Sequence, residues 1–409
     1  MARICLVTPS HPASNPRLVK EADALSSRGH EVHVVAGRYF PPLDPFDAAL
    51  YARAAWSRTI VDYSGGPRVA SLKILRRLAR GLIGSRRPPA LRTAILAQHP
   101  AIFPLADAAA ARPADLYIGH TLAGLAAAGL AARRTGSRLG FDAEDFHPAE
   151  TAFAETDAVE SASIRRIEQE FLPRCRHLTA ASPLIGRAYS AAYGLRELST
   201  VLNVFPLSEA PNSPGPRETP EGLPLLYWFS QTIGPDRGLE ALVAALGRLR
   251  RPCVLRLRGL PAPGFPEALR ALARQSGFGG RLEFAPIAAP HEMARLAAGA
   301  DLGLSLEQRR PRNRDLCLTN KIFTYLLAGT PVALTPTAAQ SDLAGTLGAA
   351  ALLLDPEDPA LTAARLDAFL GDASRRDLAT ARAWRLAREI YNWDRESEIL
   401  AREVRQALA

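Results

Sequence analysis

The sequence predicts an α/β protein built from two doubly wound parallel sheets, one in each half of the chain. Three observations carry that expectation. Short apolar runs suited to buried parallel strands alternate with helical patterns in both halves. At 409 residues the chain exceeds one ordinary core. A stretch dense in Pro, Ser and Glu and lacking periodicity, LSEAPNSPGPRETPEGLP, separates the halves. The expected division is an N-terminal domain over 1–206, a linker over 207–223, a second domain over 224–388 and a closing segment over 389–409.

The first half opens on the strand RICLVTP and the loop SHPASN. Asn15 is placed to cap a helix whose first position is Pro16. RLVKEADALSSRG is that helix, ended by Gly29, and HEVHVVAG is the next strand. This strand–helix–strand unit lacks GxGxxG, which disfavours a dinucleotide-binding dehydrogenase. Arg17 in the first helical turn is electrostatically unfavourable unless an anion lies nearby. A second unit follows in DLYIGH, a helix across 121–134 and RLGFDAED. His120 ends its strand, where a catalytic residue meets a ligand. A charged helix, IRRIEQEFLPRC, leads on to LTAASP and VLNVFP.

The second half restarts with the strand LLYWFS, the helix GLEALVAALGRLR and the strand CVLRLRG. RLEFAP, HEMARLAAGA and DLGLSL continue the alternation. NRDLCLTNKIFTYLLAGTPVALT then reads as loop, helix and strand. Thr319 or Asn320 is expected to cap the helix, and Gly329 to end it in the left-handed conformation. That puts Lys321 and a helix N-terminus at the carboxyl end of the sheet, where open α/β folds bind anions.

A hydrophobic content of 47% with 22% charged residues suits a soluble globular enzyme rather than a disordered or repeat protein. Cys5, Cys175, Cys253 and Cys317 form no CxxC pair, which argues against a zinc site or disulfide framework and fits a reducing cytosol. ICLV is too short for a signal peptide, and the apolar stretch 116–132 reads as core strand and helix. The net charge of +9 is uneven: no acidic residue lies between Tyr63 and Ala106, while Arg68, Lys73, Arg76, Arg77, Arg80, Arg86, Arg87 and Arg92 do. Leu72, Leu75, Leu78 and Leu82 fall near helical spacing among them. One reading is a packed helix with a solvated basic face. The other is a surface over 68–92 that meets anionic lipid headgroups or a phosphorylated acceptor. Nucleic acid is disfavoured, because aromatic residues are not interleaved with the basic ones.

Several motifs, in order, resemble one family. SNPRLVKEADALSSRGHEVHVVA, DLYIGHTLAGLAAA with RLGFDAEDFHPAE, IGPDRGLEALVAAL, TNKIFTYLLAGTPVA and YNWDRESEIL are similar to the signatures of retaining, nucleotide-sugar-dependent glycosyltransferases of the GT-B fold, the group 1 or family 4 class. The resemblance spans nearly the whole chain. It implies two Rossmann-like domains facing each other across a cleft, and a last helix that crosses back to the first domain. It implies transfer of a sugar from a nucleoside diphosphate sugar to a hydroxyl acceptor, in envelope polysaccharide or glycolipid synthesis. No cofactor and no metal are implied. The expected setting is the cytoplasm, including the inner face of a membrane. The acceptor is a glycan, a lipid-linked sugar or a small molecule.

By that resemblance His120 contacts the donor sugar, and Arg237 and Lys321 hold the diphosphate. Gly234, Gly238 and Asn320 line the donor, with Thr324 at the ribose. Asn15, Arg17, Asp142, Glu144 and Asp145 lie on the acceptor side. The sequence departs from the family in two places. Thr324 stands where the family usually has a Glu that binds ribose, and Leu316, eight positions earlier, replaces a second Glu. Glu307 is the candidate substitute for the latter. Arg237 takes the place of a Lys, and the family's earlier Arg is either replaced by Gln231 or absent. Asp142, Glu144 and Asp145 also raise a rival metal site of the other main glycosyltransferase fold, but they lie in the half opposite the phosphate signals. A sugar-nucleotide epimerase or hydrolase, and a catalytically weak nucleotide-binding relative, remain alternatives.

Overall fold

The computed structural model describes residues 1–84, 88–215, 219 and 222–409. Arg86 and Arg87 of the basic stretch, and part of the expected linker, lie outside the described residues, as does the side chain of Arg68. The chain forms two compact units. One comprises Met1–Val201, Pro311–Asn313 and Ser397–Ala409; the other comprises Leu202–Arg310 and Arg314–Glu396. The last helix, Trp393–Leu408, passes into the first unit at Ser397. The described part of the expected linker is packed rather than free: Leu207 N–H donates to Asp394 at 2.9 Å.

The first unit holds seven strands: β1 (Arg3–Thr8), β2 (Glu31–Arg38), β3 (Ser57–Asp62), β4 (Leu116–His120), β5 (Arg138–Ala143), β6 (Cys175–Ala180) and β7 (Ser199–Thr200). They pair in the order β3-β2-β1-β4-β5-β6-β7, all in parallel. β1 and β4 are buried along almost their whole length, as strands covered by helices on both faces must be. The helix Thr121–Thr135 lies close on β1, because a Cβ on Gly124 would sit 2.4 Å from the Val7 carbonyl oxygen.

The second unit holds β8 (Leu225–Ile233), β9 (Val254–Pro261), β10 (Arg281–Ala285), β11 (Leu302–Ser305), β12 (Val332–Leu334) and β13 (Ala351–Leu353). Their order is β10-β9-β8-β11-β12-β13, again parallel. Each sheet therefore reverses its strand order once, between β1 and β4 in the first unit and between β8 and β11 in the second. Ligands of open α/β sheets bind outside the carboxyl ends of the strands at such a reversal. His120 ends β4 beside one reversal, and the Gly234–Gly238 turn follows β8 beside the other.

Candidate active site

The first unit gathers a buried charged cluster at its reversal point, and strand register explains it. His120 on β4 is the direct partner of Asp142 on β5, and Asp142 of Thr179 on β6. Three polar side chains thus stand in a row at the carboxyl ends. Arg17 reaches them from the helix Pro16–Ser27, which Asn15 caps by accepting from Leu18 N–H at 3.1 Å. Arg17 Nε donates to Asp142 Oδ2 at 2.5 Å and Nη2 to Oδ1 at 2.7 Å, while Nη1 donates to the Val201 carbonyl at 2.6 Å. Thr179 donates to Asp142 Oδ1 at 2.6 Å. The anion that the first-turn arginine requires is therefore supplied by the chain itself. Arg17 and Asp142 are both buried, and they spend their polar atoms on each other rather than on an acceptor.

His120 is 0% exposed. Its Nδ1 lies 3.1 Å from Glu144 and 3.5 Å from Asp142, and its Nε2 lies 2.9 Å from Glu21. Carboxylates beside both ring nitrogens favour the imidazolium over either neutral tautomer. Burial alone would push its pKa down, but Glu21, the hydrogen bond to Glu144 and the charge of Asp142 outweigh that and raise it to about 10. Burial likewise opposes ionisation of Asp142, yet Arg17, His120 and Thr179 hold its carboxyl well below the usual range. Directly after His120, Thr121 has φ 64°, an outlier for a β-branched residue. That turn swings the chain from β4 into the next helix while His120 stays in the cluster.

A folded-state pKa above the unfolded value adds stability at low pH that disappears as pH rises through the folded pKa. For His120 the window runs from the ordinary value of 6.5 up to about 10. Chemical denaturation of the wild type should therefore show stability falling across this window. The His120→Gln variant should be less stable at pH 6 and show a smaller fall.

Glu21, which no motif marked, sits four residues after Arg17 on the same helix face, and that spacing was its one sequence signal. Asn15 Nδ2 donates to Glu144 at 2.9 Å, and Asn313 Nδ2 donates to Asp145 at 2.6 Å. Asp142 and Glu144 thus share His120 while Asp145 pairs with Asn313, and among the described residues these three carboxylates form no metal-holding group. Glu21, His120 and Asp142 do present ligand atoms within 4.8 Å of one another. A cation there would have to displace the proton of His120 and compete with Arg17 for Asp142, so the set fits the ion-pair cluster better.

The second unit builds its site from the carboxyl ends of β8, β11 and β12. Gly238 has φ 74° and heads the helix Leu239–Leu246 without a side-chain cap. A Cβ on Gly238 would sit 3.2 Å from Leu306, which ties this turn to the end of β11. Gly234 has no such constraint, since a Cβ there would meet Ala262 at an ordinary 3.5 Å. Arg237, beside Gly238, makes no ion pair among the described residues.

After β11, Glu307 is buried, and its backbone exchanges two hydrogen bonds with the Thr335 hydroxyl, at 2.9 Å and 2.6 Å. Its carboxylate faces Arg314 at 3.0 Å and Lys321 at 3.4 Å. Lys321 lies in the first turn of the helix Asn320–Leu327, with Asn320 leading it. The expected cap is not formed: Thr319 makes no side-chain bond to the first amides, and its hydroxyl lies 3.3 Å from that of Ser305. Thr324 is buried and donates back to the Asn320 carbonyl at 3.1 Å. The second unit therefore presents two helix starts without side-chain caps, with Arg237 before one and Lys321 in the other, a combination suited to a diphosphate.

Residues 17–208 match the model of Glycosyltransferase Family 4. Part of the chain thus matches a glycosyltransferase family, and the whole of it has the GT-B fold. Solved structures agree on the fold over nearly its full length. HepE of Anabaena, in complex with UDP-glucose, is 15% identical, with 99% of each chain covered and a TM-score of 0.71. Sucrose-phosphate synthase of Thermosynechococcus elongatus is 14% identical, with 99% of each chain covered and a TM-score of 0.71. MurG of Acinetobacter baumannii is 16% identical, over 98% of this chain and 99% of that one, with a TM-score of 0.54. No curated protein matches by sequence. In this chain, then, the two reversal points differ: a closed ionic cluster lies in the first unit, and uncapped helix starts beside Arg237 and Lys321 lie in the second.

Proposed function

We propose that this enzyme transfers a sugar from a nucleoside diphosphate sugar to a hydroxyl acceptor, with retention at the anomeric carbon and without a metal ion. The observation that carries the reading is the strand-reversal point of the second unit. There Gly238 sits against Leu306, the helices Leu239–Leu246 and Asn320–Leu327 start without side-chain caps, and Arg237 and Lys321 stand beside those starts. As the glycosidic bond breaks, negative charge grows on the leaving diphosphate. Fixed cations and helix-start amides stabilise that charge more than they stabilise the intact donor, and this lowers the barrier. In a retaining reaction the departing phosphate oxygen takes the proton of the acceptor hydroxyl on the same face. The complex of HepE with UDP-glucose supports a nucleotide-sugar donor here. The acceptor we propose is a glycan or lipid-linked sugar of envelope polysaccharide or glycolipid synthesis. Glu144, in contact with both Asn15 and His120, is an acceptor-side carboxylate with more access than the buried Asp142.

The test is incubation with UDP-, GDP-, ADP- and dTDP-sugars in the presence of chelator, with thermal unfolding as the binding readout and NMR analysis of the products. Stabilisation by one nucleotide, followed by transfer with retained configuration, is the expected result. Free sugar or an epimerised donor as the main product would replace transferase with hydrolase or epimerase. Binding without turnover would mark a nucleotide-binding relative and direct attention to Thr324.

A further inference from the structure

The helix Pro67–Leu82 is amphipathic, with an apolar face that nothing among the described residues covers. Its leucine spacing predicts a packed stripe, and the structure places that stripe in solvent. Ile74 is 62% exposed, Leu75 45%, Leu78 60% and Leu82 78%. These positions fall on one side of the helix. Other residues hold it to the first unit: Val69, Ala79 and Ile83 are buried, and Ala79 and Ile83 form a small cluster with Ala97 against Leu96, Val159 and Ala162. Arg80 donates to Glu160 at 2.6 Å and to Asp157 at 3.2 Å, and Arg76 to the Ala97 carbonyl at 3.1 Å. The helix is therefore docked in the fold, and its apolar outer face is not a consequence of loose packing.

The charges beside that face have one sign. Lys73 and Arg77 are exposed and make no ion pair among the described residues. No acidic residue lies between Tyr63 and Ala106. A second copy seated on this face about a two-fold axis would set Lys73 and Arg77 against their own counterparts. The face also lacks the Trp and Tyr anchors that dominate protein interfaces. Aliphatic side chains with cations at their margin instead match a bilayer, where apolar groups enter below the headgroups and cations meet lipid phosphates. No helix among the described residues is long and apolar enough to cross a membrane, so the contact would be with one face of the bilayer.

We propose that the helix Pro67–Leu82 is a membrane-docking element, with Ile74, Leu75, Leu78 and Leu82 inserted into an anionic lipid surface and Lys73 and Arg77 at its phosphates. The inference rests on this face alone and stands independently of the donor chemistry. The full chain is sedimented with vesicles of phosphatidylcholine alone and with vesicles containing phosphatidylglycerol. Wild type is expected to pellet with the anionic vesicles, to release as salt rises, and to bind the neutral ones roughly tenfold or more weakly. The Lys73→Gln/Arg77→Gln pair should lose about tenfold. Ile74→Ser/Leu78→Ser/Leu82→Ser should lose at least about tenfold, with unchanged circular dichroism. If the triple variant fails to fold, Leu78→Trp reports instead, through a blue shift on anionic vesicles and quenching by brominated lipid. Wild type remaining in the supernatant, full binding by the triple variant, or an unshifted Trp overturns the proposal. So does a dimer in light scattering that the triple variant dissociates, which would make a second copy the occupant.

Discussion

Arg17→Ala is expected to lower the unfolding free energy by about 3–5 kcal/mol, the largest stability effect of any single substitution outside the apolar cores. The guanidinium is the main counter-charge of Asp142, and both groups are almost wholly buried. Without it, the Asp142 carboxylate keeps Thr179 and a shared His120 but loses two charge-assisted hydrogen bonds. A depressed carboxyl pKa adds stability above the ordinary value of 3.8 that is lost as pH falls through the folded value. The variant should therefore be far less stable than wild type near neutrality and draw closer to it toward pH 2. Urea unfolding across pH measures both. Arg17→Met with Asp142→Leu should recover much of the loss, because an apolar pair leaves no charge stranded. A difference under about 1 kcal/mol between wild type and Arg17→Ala would mean that the pair is solvated in solution.

The largest effect on turnover is expected at Lys321. Lys321→Ala should reduce kcat by about 100- to 1,000-fold, the range for removing one fixed group that stabilises transition-state charge. Arg237→Ala should weaken nucleotide binding as well, since that guanidinium has no ion-pair partner among the described residues. Unliganded stability should fall much less than in Arg17→Ala, because Arg314 still faces Glu307 once Lys321 is gone. Kinetics on the donor identified by the nucleotide panel separate the two contributions. A fall confined to KM would assign Lys321 to ground-state binding alone.

Much of the fold was legible because each element carries local punctuation. Asn15 and Pro16 start a helix where their chemistry requires one, and Gly329 takes φ 72° after the helix Asn320–Leu327. Continuous apolar runs marked the strands, whereas their register came only with the structure. The candidate site was legible in part. His120 was placed by its position at a strand end, but Glu21 was missed because its relation to His120 depends on a helix packing beside a strand about one hundred residues away. The unfavourable charge of Arg17 pointed to an anion without identifying it. The cap expected of Thr319 failed for a similar reason, its hydroxyl being turned toward Ser305 on a neighbouring strand.

The sequence by itself determined the alternation of strands and helices, the two sheets and the positions of the cationic helix starts. All of these depend on residues within a few positions of one another. Only the tertiary structure decided which partners the charges have and which apolar face is covered. Periodicity shows that Leu75, Leu78 and Leu82 share a side of their helix, but burial depends on what packs against it, and here Val69, Ala79 and Ile83 take the inner side. Likewise Arg17 and Asp142 meet only because parallel pairing brings the ends of β1, β4 and β5 together. Long-range geometry chose the ion pair, and with it which of the conspicuous polar residues remain open to a ligand.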